Sequence, residues 1–218
     1  MRRLAALASF ILPFALGAQA SPADQAIDRA VAAYATVRTA KATFEQSITN
    51  ALTGSTIPSK GAFEQARPDR FAFRFTDPKG DVILSDGKFV WLYLPSSTPG
   101  QVIRAPLTAD IEGSIDLIGA FFSNPRAKYT ISDAGEATIN GRVTRAVNLV
   151  PRGDAGFARA RVWIDDEGLL RQFEAQEHNG VSRRVRIMTY EPNATVSASA
   201  FRFTPPKGVK VVDGSTLR

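Results

Sequence analysis

Cysteine is absent from this sequence of 218 residues, and histidine occurs once, at His178. Without cysteine the chain can form no disulfide, no thiol nucleophile and no cysteine metal site. A single histidine is too few for a zinc site or a thiol–histidine dyad, and no serine lies in a Gly-x-Ser-x-Gly turn. We therefore expect a protein that is not an enzyme and that uses no metal and no cofactor.

Long apolar runs are also scarce, and the clearest one lies at the N-terminus. Arg2 and Arg3 precede an apolar stretch over residues 4–16, and Ala18-Gln19-Ala20 then supplies the small-x-small pattern that signal peptidase cleaves. The stretch is short for a membrane span of about 20 residues. We predict a cleaved signal peptide over residues 1–20 and one domain over residues 21–218. Because Ser21 occupies the position where a lipid anchor would need cysteine, we expect a protein that diffuses freely in the periplasm.

The net charge of +6 is modest, and no basic block with interleaved aromatics is present. Arginine alternates with small or apolar residues at 159–161 and 184–186, which is typical of the solvent-facing side of strands. This pattern predicts no nucleic-acid binding. Contact of these arginines with an anionic surface remains an open alternative.

The elements follow from periodicity and turn signals. Ser21 and Pro22 begin an amphipathic helix over about residues 22–38. After Lys41 the apolar period changes to two, and Asp-Gly and Asn-Gly pairs predict antiparallel hairpins. The acidic run at residues 165–168 is interpreted as such a turn and not as a calcium loop. We predict a meander of about 10 or 11 strands, with a strand at 200–203 and a polar tail after Val212.

One further helix interrupts the meander between Pro106 and Ser123. Its apolar face is formed by Ile111, Ile115, Ile118 and Phe122, widened by Leu117 and Phe121. An apolar helix among strands is typical of a plug at the end of a barrel.

The aromatic residues point to one face of the sheet. Phe71, Phe73 and Phe75 alternate along a predicted strand, so their rings share one side. In an exported protein such a face either fills a core or lines a cavity for an apolar ligand, and composition alone leaves both possibilities open.

Several motifs together resemble the periplasmic outer-membrane lipoprotein carrier family of the LolA type. They are Phe44-x-Gln46, Arg67-Pro68-x-x-Phe71-x-Phe73, Ser85-Asp86-Gly87-Lys88-x-x-Trp91-x-Tyr93 and the segment from Phe201 to Val209 with its Pro205-Pro206 pair. The resemblance implies a mainly β fold with some α: an unclosed antiparallel barrel with helices as a lid over a hydrophobic cavity. Phe73 stands where relatives often carry tryptophan.

The resemblance also implies a function. Carriers of this type bind the acyl chains of lipoproteins that an inner-membrane ABC transporter releases, and deliver them to the outer membrane, where an acceptor can receive them. The implied partners are therefore acylated lipoproteins, that transporter and such an acceptor, and we expect a monomer. The alternatives are a periplasmic lipid or lipoprotein sensor on the same fold, and an enzyme acting on lipids.

Site residues follow from the same resemblance. Arg67 is expected to hold the lid closed through hydrogen bonds to helix carbonyls, for which a guanidinium offers five donors. The lid is assigned to the helix at residues 110–122. The residues expected to bind acyl chains or form the lid are Phe71, Phe73, Trp91, Tyr93, Ile111, Ile115, Ile118, Phe121 and Phe122.

Overall fold

A computed structural model describes residues 20–108 and 117–214 of the protein. The predicted signal peptide lies outside the described residues, apart from Ala20, and so do Ile111 and Ile115 of the predicted lid. The helices are α1 (Pro22–Thr36), α2 (Leu117–Phe122) and α3 (Pro125–Lys128), with a 3₁₀ helix at Ala198–Phe201. The strands are β1 (Thr39–Thr49), β2 (Thr56–Ala66), β3 (Arg70–Asp77), β4 (Lys79–Asp86), β5 (Phe89–Tyr93), β6 (Gln101–Pro106), β7 (Tyr129–Ile139), β8 (Arg142–Pro151), β9 (Arg159–Asp165), β10 (Leu170–Gln176), β11 (Ser182–Pro192) and β12 (Lys210–Asp213).

The strands form one open sheet in the order β12-β6-β5-β4-β3-β2-β1-β11-β10-β9-β8-β7. Neighbouring strands are antiparallel except β12, which runs parallel to β6. Because β12 and β7 end the order without pairing to each other, the barrel is unclosed. The predicted fold class is confirmed.

Three details differ from the sequence prediction. The described residues hold 12 strands, since Lys210–Asp213 adds a strand next to β6 in a stretch where the sequence predicts none. The segments predicted at 127–132 and 136–140 form the single strand β7, with an irregularity between Asp133 and Glu136. The predicted strand at 200–203 does not form; Ala198–Phe201 is a 3₁₀ helix, which buries Phe201 against the outside of the sheet with Ala72 and Leu84.

The sheet has two differently covered faces. The inner face packs against α1 and α2 in the main core, which includes Ile27 of α1, Phe121 of α2 and Val162 of β9. The outer face of β3 and β4 is covered by the chain after β11, where Arg74 donates a hydrogen bond to the carbonyl oxygen of Ala200 (2.9 Å). The inner face therefore holds the helices, and any cavity beneath them lies on that side.

Helix α1 is fixed at its first turn and along its side. The Ser21 hydroxyl accepts a hydrogen bond from the backbone N–H of Asp24 (3.1 Å), as an N-cap does. Arg126 of α3 forms ion pairs with Asp24 (3.3 Å) and with Asp28. These contacts hold the start of α1 against α3 at one end of the sheet.

Candidate functional site

An apolar cavity of about 610 Å³ lies on the inner face of the sheet. Its walls come from β1–β4, β10, β11, the start of β7, α2 and the loop between β8 and β9. The lining residues are Ala42, Phe44, Gln46, Phe63, Phe73, Phe75, Ile83, Ile118, Tyr129, Ala155, Gly156, Phe157, Phe173, Ala175, Glu177, Arg183, Val185, Ile187 and Tyr190. This volume is in the range of small-molecule sites, about 300–1,000 Å³. Phe73 and Phe75 of the aromatic face therefore line a space, while Phe71 is buried.

Contacting phenylalanine rings form one wall of the cavity. The ring centroids of Phe44 and Phe75 lie 5.5 Å apart at 89°, and those of Phe63 and Phe73 lie 4.6 Å apart. Gly61 is the cross-strand partner of both Phe44 and Phe75. Because glycine has no side chain, the two flanking rings meet over it. Such ring pairs hold a wall in a defined shape and keep its apolar surface towards the cavity.

Helix α2 covers one end of the cavity. Ile118 faces the cavity, while Phe121 is fully buried with its ring 5.4 Å from that of Phe173 and 5.8 Å from that of Phe157. The Phe122 ring lies 6.4 Å from that of Tyr34 on α1. The described part of the predicted lid thus reaches both the cavity and α1.

Arg67 connects the sheet to the end of α1. Its Nη1 donates a hydrogen bond to the carbonyl oxygen of Tyr34 (3.1 Å), and its guanidinium carbon lies 3.3 Å from the centre of the Tyr34 ring. The backbone N–H of Arg67 also donates to the carbonyl oxygen of Arg38 (2.9 Å). The side chain therefore contacts a carbonyl oxygen of α1, whereas the resemblance assigns the lid to the helix at residues 110–122.

The sequence comparison is decisive for the family. The family model described as outer membrane lipoprotein carrier protein LolA matches residues 35–204. The chain belongs to the LolA family. It is 30% identical over 197 residues to an outer-membrane lipoprotein carrier protein of Methylibium petroleiphilum, covering 90% of this chain and 93% of the relative. A carrier protein of Dechloromonas aromatica is 29% identical over 182 residues, covering 80% of this chain and 81% of that one.

Solved structures share the LolA-type fold at low sequence identity. An uncharacterized conserved protein from Thermus thermophilus matches with a TM-score of 0.55 and 13% identity, covering 88% of this chain and 99% of that one. The crystal structure of MucB matches with a TM-score of 0.52 and 16% identity, covering 86% of this chain and 65% of that one. At these identities the likeness is one of fold.

The LolA-type motifs separate into two groups in the structure. Phe73 lines the cavity together with Ile118. Phe71 is buried beside it with the two ring centroids 6.0 Å apart, and Arg67 lies at the end of α1. Trp91 and Tyr93 differ from the expectation: they lie on the outer face, with their rings 5.6 Å and 5.7 Å from that of Phe203.

The outward position of Trp91 follows from strand register. Trp91 pairs with Leu84, which pairs with Ala72, so the indole shares the face opposite to Phe71 and Phe73. The motif around it has a structural explanation. Asp86 accepts hydrogen bonds from the indole N–H of Trp91 (2.9 Å) and from the backbone N–H groups of Lys88 and Phe89 (2.8 Å each). Burial raises the pKa of Asp86, but the hydrogen bonds together lower it by more, so the pKa lies below its usual value.

Several cavity residues are not among those expected to bind acyl chains or form the lid, although Phe75 belongs to the aromatic face seen in the sequence and Phe44 to a family motif. Phe44, Phe63 and Phe75 line the cavity from three adjacent strands, and Tyr190 and Phe157 approach from the other half of the sheet. The alternation of Phe71, Phe73 and Phe75 was a usable signal for the first group. Residues from the β8–β9 loop carried no such signal, because a loop has no periodicity.

The remaining candidates for chemistry lie outside the cavity or form ordinary structure. His178 is exposed, with Nε2 3.0 Å from the carbonyl oxygen of Ala155. Asp165 is buried at the β9–β10 turn and accepts a hydrogen bond from Arg171 (2.5 Å). Within residues 20–108 and 117–214, no group of three or more histidine, aspartate or glutamate side chains is placed to hold a metal. Helices in the same ranges are all too short or too polar to cross a membrane.

Proposed function

We propose that this protein is a carrier that shelters the acyl chains of lipoproteins in the cavity and takes them to the outer membrane. The observation that carries the proposal is the cavity of about 610 Å³, lined mainly by aromatic and aliphatic side chains on the inner face of the sheet. Membership of a family whose relatives are named outer-membrane lipoprotein carrier proteins supports the same role.

Burial of apolar surface is sufficient to drive such a cycle. Each methylene group removed from water is worth about 0.8 kcal/mol, so ten of them contribute roughly 8 kcal/mol. Opening of the closed protein offsets part of this gain, which keeps release to a tighter-binding acceptor downhill. No covalent step is needed, and the proposed role is non-catalytic.

The proposed route begins with export. Residues 1–20 act as a cleaved signal peptide, and the mature protein works as a soluble monomer in the periplasm. An inner-membrane ABC transporter supplies acylated lipoproteins, and an acceptor at the outer membrane receives them. This route is consistent with the small-x-small pattern at residues 18–20 and with serine at position 21.

The helices provide the proposed gate. Ile118 and Phe121 close one end of the cavity, and Arg67 restrains the end of α1 through the carbonyl oxygen of Tyr34. Entry of acyl chains displaces α1 and α2 together, since the rings of Tyr34 and Phe122 lie 6.4 Å apart. Breaking the Arg67 contact is part of the cost of opening.

The test is release of cargo from inner-membrane vesicles that contain the ABC transporter. With ATP, we expect the purified protein to release a triacylated lipoprotein as a soluble one-to-one complex. The same cargo with its modified cysteine replaced by serine should form no complex. If a known carrier releases cargo from these vesicles and this protein does not, the proposed function is wrong.

A further inference from the structure

The apolar cavity has one polar end. Gln46 of β1, Arg183 of β11 and Glu177, which follows β10, line the cavity. Arg183 pairs across strands with Ile48 and Ala175. These positions lie towards the turns that join β1 to β2 and β10 to β11, away from the end covered by α2. A ligand in this cavity therefore meets charge and amide groups at one end and rings at the other.

A short hydrogen-bond chain fixes the polar end. Arg183 Nη1 donates to Gln46 Oε1 (3.3 Å), and Gln46 Nε2 donates to Ser59 Oγ (3.1 Å). The amide of Gln46 is thus oriented with its oxygen towards the guanidinium. This arrangement uses one of the five N–H groups of Arg183 and holds the guanidinium against the cavity wall.

Arg183 differs from its neighbours in its ionic contacts. Arg184, one residue further along β11, faces the other side and pairs with Glu174 (3.1 Å). Arg183 makes no ion pair within 4.0 Å among the residues that the structure describes. Arg183 is half-buried and lines the cavity, so an apolar ligand that fills this end takes water away from its N–H groups. Oxygen acceptors on the ligand offset that cost.

The nature of those acceptors follows from the rest of the cavity. Glu177 lines the same end, so its negative charge disfavours a carboxylate or phosphate there. Uncharged carbonyl oxygens carry no such penalty. In a lipid-modified cysteine, each acyl chain begins at an ester or amide carbonyl. Such a carbonyl would therefore lie directly beside the apolar chain that contacts the rings.

We propose that Arg183, held by Gln46, binds the ester and amide carbonyl oxygens of the lipid-modified terminus. This inference rests on the proposed carrier function and adds an orientation to it. The carbonyls lie at the Arg183 end, and the acyl chains extend past Phe73 towards Ile118. The carrier thereby distinguishes acylated cargo from plain hydrocarbon chains.

Two uncharged probes test this on the unaltered protein. One is a glycerol diester with two eight-carbon acyl chains, and the other is the matching diether, which has the same chains but no carbonyl. Displacement of a fluorescent fatty alcohol from the cavity reports both affinities. We expect the diester to bind about tenfold more tightly, the effect of a hydrogen bond to a charged group.

A matched pair of variants assigns the preference to Arg183. Arg183→Met removes the guanidinium but keeps an unbranched side chain, and we expect it to abolish most of the diester preference while diether affinity stays within about twofold. Arg184→Met, on the same strand and the opposite face, should leave both affinities unchanged. Far-ultraviolet circular dichroism checks that both variants fold.

The outcomes separate this inference from the carrier function. Equal binding of diester and diether by the unaltered protein overturns the carbonyl site and leaves the acyl-binding cavity intact. Tighter binding of a matching fatty acid anion than of the diester also overturns it, because the site would then select charge. If neither probe binds, the cavity does not bind acyl chains, and both this inference and the proposed function are wrong.

Discussion

At the scale of single residues, we expect the loss of the Arg67 side chain to change function more than folding. Its hydrogen bond and cation–π contact with Tyr34 connect the sheet to the end of α1, and in the proposed cycle they stabilise the closed position of that helix. Removing them lowers the cost of opening and so tightens the net binding of cargo, because the binding-competent fraction rises. The consequence for a carrier is slower release.

We therefore expect Arg67→Leu to fold, to accept cargo and to retain it. A loss of about 1–2 kcal/mol from the closed state corresponds to roughly tenfold slower transfer to an acceptor. The measurement is the rate of lipoprotein transfer from a preformed complex. Arg67→Lys keeps the charge but not the planar guanidinium, so its transfer rate should lie between those of Arg67→Leu and the unaltered protein. Transfer by Arg67→Leu at the normal rate would contradict this role.

Gly61 is a second residue with a defined purpose, where the Phe44 and Phe75 rings meet. A Cβ atom on Gly61 would clash with the carbonyl oxygen of Arg74 and lie 2.9 Å from the Cα atom of Phe75. We expect Gly61→Ala to lower the free energy of unfolding by about 1–3 kcal/mol through overpacking, measured by urea denaturation. Gly153→Ala is the control, since nothing lies within 4 Å of its Cβ position. Equal stability of the two variants would show that the sheet adjusts freely at Gly61.

At the scale of elements, the β4–β5 turn explains a motif that looks functional from sequence. Asp86 binds the indole of Trp91 and two backbone N–H groups, and these contacts hold the turn and place Trp91 on the outer face. Its pKa is lowered overall, so its carboxylate contributes stability above the unfolded pKa of about 3.9. That contribution is lost as the pH falls through the lowered pKa of the folded state.

Asp86→Asn should therefore be less stable than the unaltered protein at neutral pH. An asparagine presents an NH₂ group to one of the three donors, and we expect a loss of about 1–2 kcal/mol, at the low end for charged hydrogen bonds because the site is partly exposed. The difference should shrink as the pH is lowered below about 4. Melting temperatures of both proteins across the acid range test this, and a difference that stays constant with pH would contradict it.

The elements also show what the sequence could predict. The cap at Ser21 and the alternation of Phe71 and Phe73 are local patterns, and both led to the observed helix start and sheet face. The face of Trp91 depends on register across two hairpins, and the 3₁₀ helix at Ala198–Phe201 depends on the pocket that buries Phe201. Such features are set by contacts distant in sequence, which periodicity does not encode.

At the scale of the whole molecule, the two faces of the single sheet have different coverings. The inner face carries the cavity and the helices that cover it, and the outer face of β3–β5 is covered by the chain after β11. In the proposed carrier cycle, acyl chains enter the cavity on the inner face of the sheet.

Photo-crosslinking tests whether acyl chains enter on this face. A photoreactive phenylalanine analogue replaces Phe73 in one version of the protein and Trp91 in another, two aromatic positions on neighbouring β-hairpins but on opposite faces. In cells that make a triacylated lipoprotein, we expect the probe at position 73 to crosslink to the acylated cargo and not to its unacylated form. The probe at position 91 should give no acyl-dependent product. Acyl-dependent crosslinking at position 91 without any at position 73 would contradict the account.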